Sequence, residues 1–599
     1  MPRIAVIDRN RCQPKKCSLE CIKFCPKVRA GDETVKIAED GKPIITEETC
    51  SGCGICIHKC PFEAVMIINL PEELTKDCIH QYGPNGFRLY RLPIPRFGSI
   101  TGIIGPNGVG KTTAIKILAG EIKPNFGKLK EKLKWEDISK FFAGTELQSY
   151  FTKLINKRIK VVHKPQEVDK LPKAVRGVTG KLLEKVDERG IIKELIDKLQ
   201  LKETLDRKLS QLSGGELQRV AIAAAIAKKS DVIIFDEPSS YLDIYQRLNT
   251  AKVIREQVAR TAVIVIEHDL AILDYLSDYI HIIYGQPMAY GVVSGPKSVR
   301  VGINVYLQGY LKEENIRFRR EPIKFDIKPP TERWAGVKLV CFENVIKRYD
   351  GFEIKVEHGE VRRGKVIGAL GPNATGKTTF AKILAGEIEP DEGKIDVTVT
   401  VAYKPQYIAT KSDEPVAEYL RKNAPGKFRT SIFEAEIIRP LEIKPLYDRP
   451  LSELSGGELQ RVAIAATLSK DAQFYLLDEP SAHLDVEQRM TVAKVIRRMA
   501  EKSEIGVMVI DHDILFLDYI SDGLMVFLGK PGTQGIAFGP FDMRTGMNTF
   551  LKEVGITFRR DETTGRPRVN KPESYLDREQ KRLGEYYYML VTPSEPSEA

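Results

Sequence analysis

The sequence predicts an α/β protein built from two copies of one domain behind a small, cysteine-rich α+β domain. Three observations carry this. The dodecamer SGGELQRVAIAA occurs twice without change, at Ser213–Ala224 and Ser455–Ala466. The segments around each copy recur in the same order: GPNGVGKTT (Gly105–Thr113) answers GPNATGKTT (Gly371–Thr379), KPQ ending at Gln166 answers KPQ ending at Gln406, IIFDEPSSYLD (Ile233–Asp243) answers LLDEPSAHLD (Leu476–Asp485), and EHD around His268 answers DHD around His512. Eight of the ten cysteines lie before residue 61. A repeat this long is a duplicated domain, because solenoid units are far shorter.

Length agrees with several units, since 599 residues at about 150 per domain lead to three to five, each able to bury its own core. The net charge of +11 fits a polyanionic partner as readily as an ordinary basic enzyme. Charged residues make up 29 %, with Lys and Glu prominent, which leans toward a heat-adapted source. No apolar run approaches the roughly 18 residues of a membrane span, and MPRIAVIDRN lacks a signal-peptide core. The expectation is a soluble, cytoplasmic protein with no membrane partner.

The front cysteines are Cys12, Cys17, Cys21, Cys25, Cys50, Cys53, Cys56 and Cys60. A cytosolic chain keeps thiols reduced, so a metal is expected before a disulfide framework. The second group reads C-x2-C-x2-C-x3-C-P, the bacterial ferredoxin run, in which three cysteines hold one cubane and the fourth reaches to the other. That rule assigns Cys50, Cys53 and Cys56 with Cys25 to one 4Fe–4S cluster, and Cys12, Cys17 and Cys21 with Cys60 to a second. The first group, C-x4-C-x3-C-x3-C-P, departs from the regular spacing, so its ligand set is the less direct of the two. Zinc is the alternative, but structural zinc usually takes two C-x2-C pairs. Spacing does not say whether the clusters carry electrons or brace the domain. Cys78 and Cys341 stand alone and read as core residues.

SITGIIGPNGVGKTTAIKILAG has the order strand, Gly-rich loop, helix. Gly105, Asn107, Gly108 and Gly110 let backbone N–H groups close around phosphates at a helix N-terminus. Lys111 is expected to reach the β/γ-phosphates, and Thr112 and Thr113 to supply hydroxyls, Thr112 to Mg2+. In the second copy these are Gly371, Asn373, Gly376, Lys377, Thr378 and Thr379. Val232–Phe235 is an apolar strand leading to Asp236 and Glu237. Asp236 then holds Mg2+ with Gln166, Glu237 is the candidate base for the attacking water, and His268 lies near the γ-phosphate. Asp478, Gln406, Glu479 and His512 repeat these roles. Adenine needs a flat partner: Tyr82 and Phe87 precede the first P-loop, Tyr349 and Phe352 the second, and one of each pair is expected to stack, with core packing as the alternative.

Ser213, Gly214 and Gly215, like Ser455, Gly456 and Gly457, open an Ala-rich helical run and offer donors to an anion. With the P-loops and the DE strands, this set resembles the ATP-binding cassette ATPases. The resemblance implies that the signature of one half closes on the phosphates held by the other, pairing Lys111 with Ser455–Gly457 and Lys377 with Ser213–Gly215. A single chain then forms its own head-to-tail pair as a monomer.

The halves differ in one place. Lys111 to Gln166 is 55 residues and Lys377 to Gln406 is 29, so the first half carries 26 more (55 − 29). The insertion, about 134–160, has Trp135, Ile138, Phe141 and Phe142 at helical spacing, a break at Ala143–Gly144, and Thr145 with Gln148 as a capping box for a second helix ending in Lys153, Lys157, Arg158 and Lys160. It reads as a helix–loop–helix that docks on phosphate backbone, or as a solvated surface ornament. Gly302–Glu321 and Gly546–Asp561 form a further matched, Arg-rich pair, expected to clasp the halves and to offer cations to RNA.

Twin cassettes, a two-cluster front domain, the insertion and the hinge pair together resemble subfamily E of the cassette proteins, the ribosome-recycling ATPases or RNase L inhibitor family, in its archaeal form. The fold class implied is two tandem ABC-type P-loop nucleotide-binding domains preceded by a ferredoxin-like α+β domain with two 4Fe–4S clusters. Expected boundaries are 1–75 for the iron–sulfur domain, 76–295 for the first nucleotide-binding domain, 296–335 for hinge 1 and linker, 336–545 for the second nucleotide-binding domain, and 546–599 for hinge 2 and the C-terminal segment. The resemblance implies an ATP hydrolase that splits terminated or stalled ribosomes with a release factor or Pelota and remains on the small subunit, touching ribosomal RNA and proteins, with initiation factors as further partners. In that reading the clusters are a rigid lever. The alternative is an ATP-gated iron–sulfur electron-transfer protein.

Overall fold

The protein was analysed as a computed structural model, which describes residues 3–9, 11–69, 77–131, 133–259, 261–325, 336–397, 399–406, 413–424, 426–428 and 430–587. The linker containing Trp334 and the end of the Tyr-rich C-terminus lie outside the described residues. Two units divide the chain: Met1–Ser240 with Lys252–His268 and Leu276–Glu321, and Pro322–Ala599 with Tyr241–Ala251 and Asp269–Tyr275.

The first unit begins with two short antiparallel pairs, Arg3–Ile7 with Val65–Asn69 and Val35–Ile37 with Pro43–Ile45, and three helices of one turn or little more. Their shared core is small: Ala5, Ile7, Cys21, Val35, Ile45 and Val65, with most of the other front cysteines packed around it. Each Cys-Pro pair marks a chain reversal. Cys25 caps helix Pro26–Arg29, whose first residue is the proline, and Cys60 ends helix Ile55–Lys59. Proline needs no N–H partner at a helix start, so the backbone turns there without an unsatisfied donor.

This small domain is tied to the sheet behind it by Asn85. Its amide donates to Ala5 O and Ile45 O, both at 2.9 Å, and accepts from Ile45 N–H at 2.7 Å. Arg88 adds a bidentate pair with Glu47 at 2.8 and 2.9 Å. Both residues belong to the hairpin that carries Tyr82 and Phe87.

The remainder of the first unit is built on a sheet whose strands lie in the order Cys78–Gln81, Arg88–Tyr90, Tyr290–Val293, Tyr279–Gln286, Ile100–Ile104, Ala262–Ile266, Val232–Asp236, Val161–Lys164. Ile100–Ile104, Ala262–Ile266, Val232–Asp236 and Val161–Lys164 run parallel, and the first three are buried throughout, as helices on both faces require. The second unit repeats this order behind one further edge strand, Gly359–Arg362: Lys338–Tyr349, Phe352–Val356, Gln534–Asp542, Gly523–Lys530, Val366–Leu370, Gly506–Ile510, Phe474–Asp478, Val401–Lys404. Among the described residues no helix is long and apolar enough to cross a membrane.

The insertion folds as helices Trp135–Phe141 and Glu146–Ile155, joined through Gly144 at φ +78°. It is no loose ornament on its inner side, because Ile138, Phe142, Leu147, Tyr150 and Phe151 enter the same core as the P-loop helix. Two expectations about it need correction. Thr145 does not cap with its side chain; its hydroxyl bonds Phe142 O at 2.7 Å, while Gln148 accepts from Gly144 N–H. The second helix stops at Ile155, so Lys157, Arg158 and Lys160 lie beyond it.

The Arg-rich copies diverge as well. In the second, Arg560 is buried against Asp518 at 2.7 and 2.8 Å and Arg559 bonds the side-chain oxygen of Asn570, while beyond the segment Arg566 and Arg568 converge on Asp274 within the same unit. Arg560, Arg566 and Arg568 are committed to buried carboxylates, so of the segment's own arginines Arg560 is not offered to RNA. Cys78 and Cys341 sit half-buried on strands rather than in the core.

Candidate functional site

Each half assembles the same cluster from sequence segments far apart. The P-loop leaves strand Ile100–Ile104 and enters helix Lys111–Leu118. Gly110 adopts φ +90°, and a Cβ there would stand 2.6 Å from the Phe87 ring. Glycine is thus required by conformation and by space. Its counterpart Gly376, at φ +92°, packs equally tightly on Ile354.

Lys111 is buried, and its Nζ donates to Gly105 O at 2.9 Å and Pro106 O at 2.7 Å. Lys377 makes the matching bonds to Gly371 O and Pro372 O. Burial lowers the Lys377 pKa to about 8. Thr112 Oγ1 donates to Asp236 Oδ2 at 3.2 Å, and Thr378 Oγ1 to Asp478 Oδ2 at 2.7 Å. A hydroxyl, a carboxylate and the amide oxygens of Gln166 and Gln406 form an all-oxygen donor set, the kind Mg2+ prefers.

Parallel pairing of Val232–Asp236 with Ala262–Ile266 brings Glu237 and His268 together at the strand ends. Gln166 Nε2 donates to Glu237 Oε1 at 2.7 Å, Ser240 Oγ to Oε2 at 3.1 Å, and His268 Nε2 stands 3.5 Å from Oε1. Burial pushes the Glu237 pKa up, but His268, Lys111 and Ser240 outweigh it and hold it at about 2. In the second half Gln406 bonds Glu479 at 2.7 Å and His512 lies 3.6 Å away. Glu479 is likewise held at about 2, burial being outweighed by His512, Gln406 and Lys377. Both carboxylates are ionised at neutral pH.

Ser213 caps helix Gly214–Ala227, accepting from Glu216 N–H, and Ser455 caps Gly456–Leu468 in the same way. These serines stand outside the Glu-centred clusters of their own halves. Within each half their helix reaches the cluster through glutamine instead: Gln218 donates to Glu237 O and Gln460 to Glu479 O, both at 2.6 Å.

Of the aromatic pairs, the structure separates the members. Tyr82 is 46 % exposed and its hydroxyl meets Thr113 Oγ1 at 3.3 Å, whereas Phe87 packs under the P-loop. Tyr349 is 45 % exposed, whereas Phe352 joins the core.

Sequence reasoning missed Lys164 and Lys404. Both are fully buried and bond the backbone carbonyls of Asp236 (2.9 Å) and Asp478 (2.8 Å), fixing the strand end that carries the acidic pair. It also missed Ser239 with Glu267 and Ser481 with Asp511, bonded at 2.7–3.0 Å, which hold the loop after each acidic pair. Their recurrence in both copies was the available signal.

In the N-terminal domain the thiols gather in two sets. Cys12, Cys17, Cys21 and Cys60 line one pocket with Pro14, Pro43 and Pro61. Cys56 feels the charges of Cys50, Cys53 and Cys25. Burial first, then the neighbouring thiols, pushes Cys21 up to about 12 and Cys56 up to about 11. Among the described residues no group of three ligand side chains closes on a single ion. Two sets of four thiols fit iron–sulfur cages, whose cationic iron offsets the repulsion among thiolates.

The ABC transporter family description matches residues 95–240 and 355–482. A possible Fer4-like domain of RNase L inhibitor matches 2–33, and a 4Fe–4S binding domain matches 43–66. An uncharacterized ABC transporter ATP-binding protein of Methanocaldococcus jannaschii is 57 % identical over 98 % of both chains. The translation initiation factor RLI1 of Saccharomyces cerevisiae is 44 % identical over 98 % of both. A solved structure described as ribosome-bound archaeal Pelota and ABCE1 matches with TM-score 0.92 and 55 % identity, covering 98 % of this chain and 99 % of that one. Its two ATP-binding cassettes and iron–sulfur binding domain, together with this full-length identity, show that the chain belongs to the RNase L inhibitor family, subfamily E of the ABC ATPases.

Proposed function

We propose that this protein is an ATP-driven ribosome-recycling factor, which splits terminated or stalled ribosomes with a release factor or Pelota-type partner and then stays on the small subunit. The observation that carries this is the full-length match to archaeal ABCE1, solved on the ribosome with Pelota. The work is cytoplasmic, as ribosome binding requires. The domain boundaries are those drawn from the sequence, 1–75, 76–295, 296–335, 336–545 and 546–599.

The chemistry follows from the clusters already described. Mg2+, held at one site by Thr112, Gln166 and Asp236 and at the other by Thr378, Gln406 and Asp478, supplies charge neutralisation at the phosphates. Lys111 and Lys377 release their loop carbonyls to meet the β/γ-phosphates. Glu237 and Glu479, ionised and oriented by glutamine and histidine, take the proton of the attacking water. The signature of each half, Ser213–Gly215 and Ser455–Gly457, completes the other half's site when ATP is bound, so closure depends on the γ-phosphate. Two 4Fe–4S clusters, on Cys12, Cys17, Cys21, Cys60 and on Cys25, Cys50, Cys53, Cys56, stiffen the front domain as a lever.

Exposure favours Tyr82 and Tyr349 as the adenine platforms. Tyr82→Ala and Tyr349→Ala are each expected to weaken ATP binding about three- to tenfold, the worth of one ring stack, by calorimetry. Unchanged affinity would remove both from the site. The function itself is tested by sedimenting ribosomes with this protein, ATP and a Pelota or release-factor partner. Free subunits are the expected product, and intact ribosomes in every nucleotide and partner combination would overturn the proposal.

A further inference from the structure

The two ATP clusters differ at one residue that lies against the metal-holding carboxylate. The strand ahead of each KPQ segment runs parallel to the strand ending in the acidic pair. Its register sets His163 beside Ile234 in the first half and Tyr403 beside Leu476 in the second. Side chains two residues apart on a strand share a face. Tyr403 and Asp478 are therefore diagonal neighbours on one face, and so are His163 and Asp236, at a separation that long and aromatic side chains span.

That face is the one covered by the P-loop helix. Tyr403 packs against the core that contains Phe380, Ile383 and Leu384 of helix Lys377–Leu384.

What each residue does there is different. His163 bonds Glu121 through Nδ1, 2.7 Å from Oε1, while its Nε2 is buried and, among the described residues, has no partner in hydrogen-bonding geometry. Tyr403 has no such bond to the matching Glu387. Its hydroxyl is buried and, among the described residues, has no partner in hydrogen-bonding geometry; Asp478 Oδ1 is buried in the same condition. The carboxylate is near enough to raise the pKa of the phenol, after burial, which is the larger cause. Two complementary buried groups, each lacking any other partner among the described residues, are the natural donor and acceptor for one another, since each left unmet keeps its full desolvation penalty. The other oxygen of Asp478 is already taken by Thr378.

We propose that Tyr403 is a positioning residue of the second ATP site: its hydroxyl holds Asp478 Oδ1, so that Oδ2 and Thr378 are presented together to Mg2+, a hydroxyl brace that the first site lacks, since His163 gives Nδ1 to Glu121 and leaves only its imidazole Nε2 toward Asp236. The inference rests on the reading of Asp478 as a metal-holding carboxylate. Its consequence is an inequality written into the chain, with the second site holding its divalent cation more tightly than the first.

The test is Mn2+ binding to the full-length, cluster-loaded protein with a non-hydrolysable ATP analogue, read from the electron paramagnetic resonance of free Mn2+. Tyr403→Phe is expected to weaken one class of Mn2+ site roughly fivefold, the size of one hydrogen bond. Binding of the analogue without metal and the melting temperature should not change. Tyr403→His should resemble Tyr403→Phe, and His163→Phe should leave Mn2+ affinity at the first site as it was. If Asp478→Asn weakens Mn2+ binding while Tyr403→Phe does not, the brace is overturned and the metal reading stands. Should Asp478→Asn also have no effect, the metal reading itself fails. Loss of metal-free analogue binding in Tyr403→Phe, or an equal loss at the first site in His163→Phe, overturns the proposal too.

Discussion

Replacing Glu237 and Glu479 together by glutamine is expected to lower ATP turnover about 100-fold or more, the scale of a lost general base, while ATP still binds. Each carboxylate accepts from a glutamine amide at 2.7 Å, and a Gln side chain keeps the shape and an acceptor oxygen for that bond. What it cannot do is take a proton from water. At neutral pH the native groups are ready to do so, since both are held at about 2. The phosphate contacts proposed for Lys111 and Lys377 are untouched by the change, so the double variant should accumulate the ATP-bound state. Single-turnover hydrolysis and nucleotide-retention assays check this, and near-native turnover in the double variant would remove both residues from the base role. The single variants should not be equal. Ser240 gives Glu237 an extra hydrogen bond, and the matching position in the second half is Ala482, with no hydroxyl to offer.

Stripping iron from the intact protein is expected to unfold the N-terminal domain while the two cassettes stay folded. The domain's own core is a handful of side chains, Ala5, Ile7, Cys21, Val35, Ile45 and Val65. A domain of this size buries only about 60 % of its chain surface and needs a staple. Structural metal ligation supplies on the order of 10 kcal/mol to such domains. Without iron the thiols gain protons, Cys21 and Cys56 having been pushed up to about 12 and 11, and the cage loses its only cross-link. Asn85 and the Arg88–Glu47 pair hold the domain's edge but do not replace its centre. Amide hydrogen exchange reads the outcome: protection should vanish from residues 3–69 and persist in strands Ile100–Ile104 and Val366–Leu370. Retained protection in the iron-free front domain would show that the clusters do not brace it. Cys21→Ser should act like iron removal, because Cys21 is the buried member of its set.

Much of this was legible in the residues before any coordinates. Gly105–Thr113 and its copy encode a loop and a helix start in adjacent positions, and the C-x2-C-x2-C-x3-C-P run carries its own cross-pairing rule. The structure groups the cysteines in the two sets that rule assigns, although the first run is irregular. The Thr145–Gln148 box failed for a local reason: at the tight Gly144 turn the Gln148 N–H goes to the Thr145 carbonyl at 3.1 Å, and the Gln148 side chain takes the Gly144 N–H while that of Thr145 goes to Phe142 O.

The sequence alone therefore determined the duplicated α/β plan, the phosphate loops, the acidic pairs and the cysteine sets, because each is written in short spacings or in the likeness of one half to the other. Tertiary structure decided which aromatic of each pair stays exposed, that Lys164 and Lys404 pin the acidic strand ends, that Arg560 is spent on a buried carboxylate, and that Tyr403 and Asp478 share one face of the sheet while His163 bonds Glu121. Those outcomes depend on strand register and packing between residues tens to hundreds apart in the chain, and spacing along one segment holds no information about what another segment brings against it.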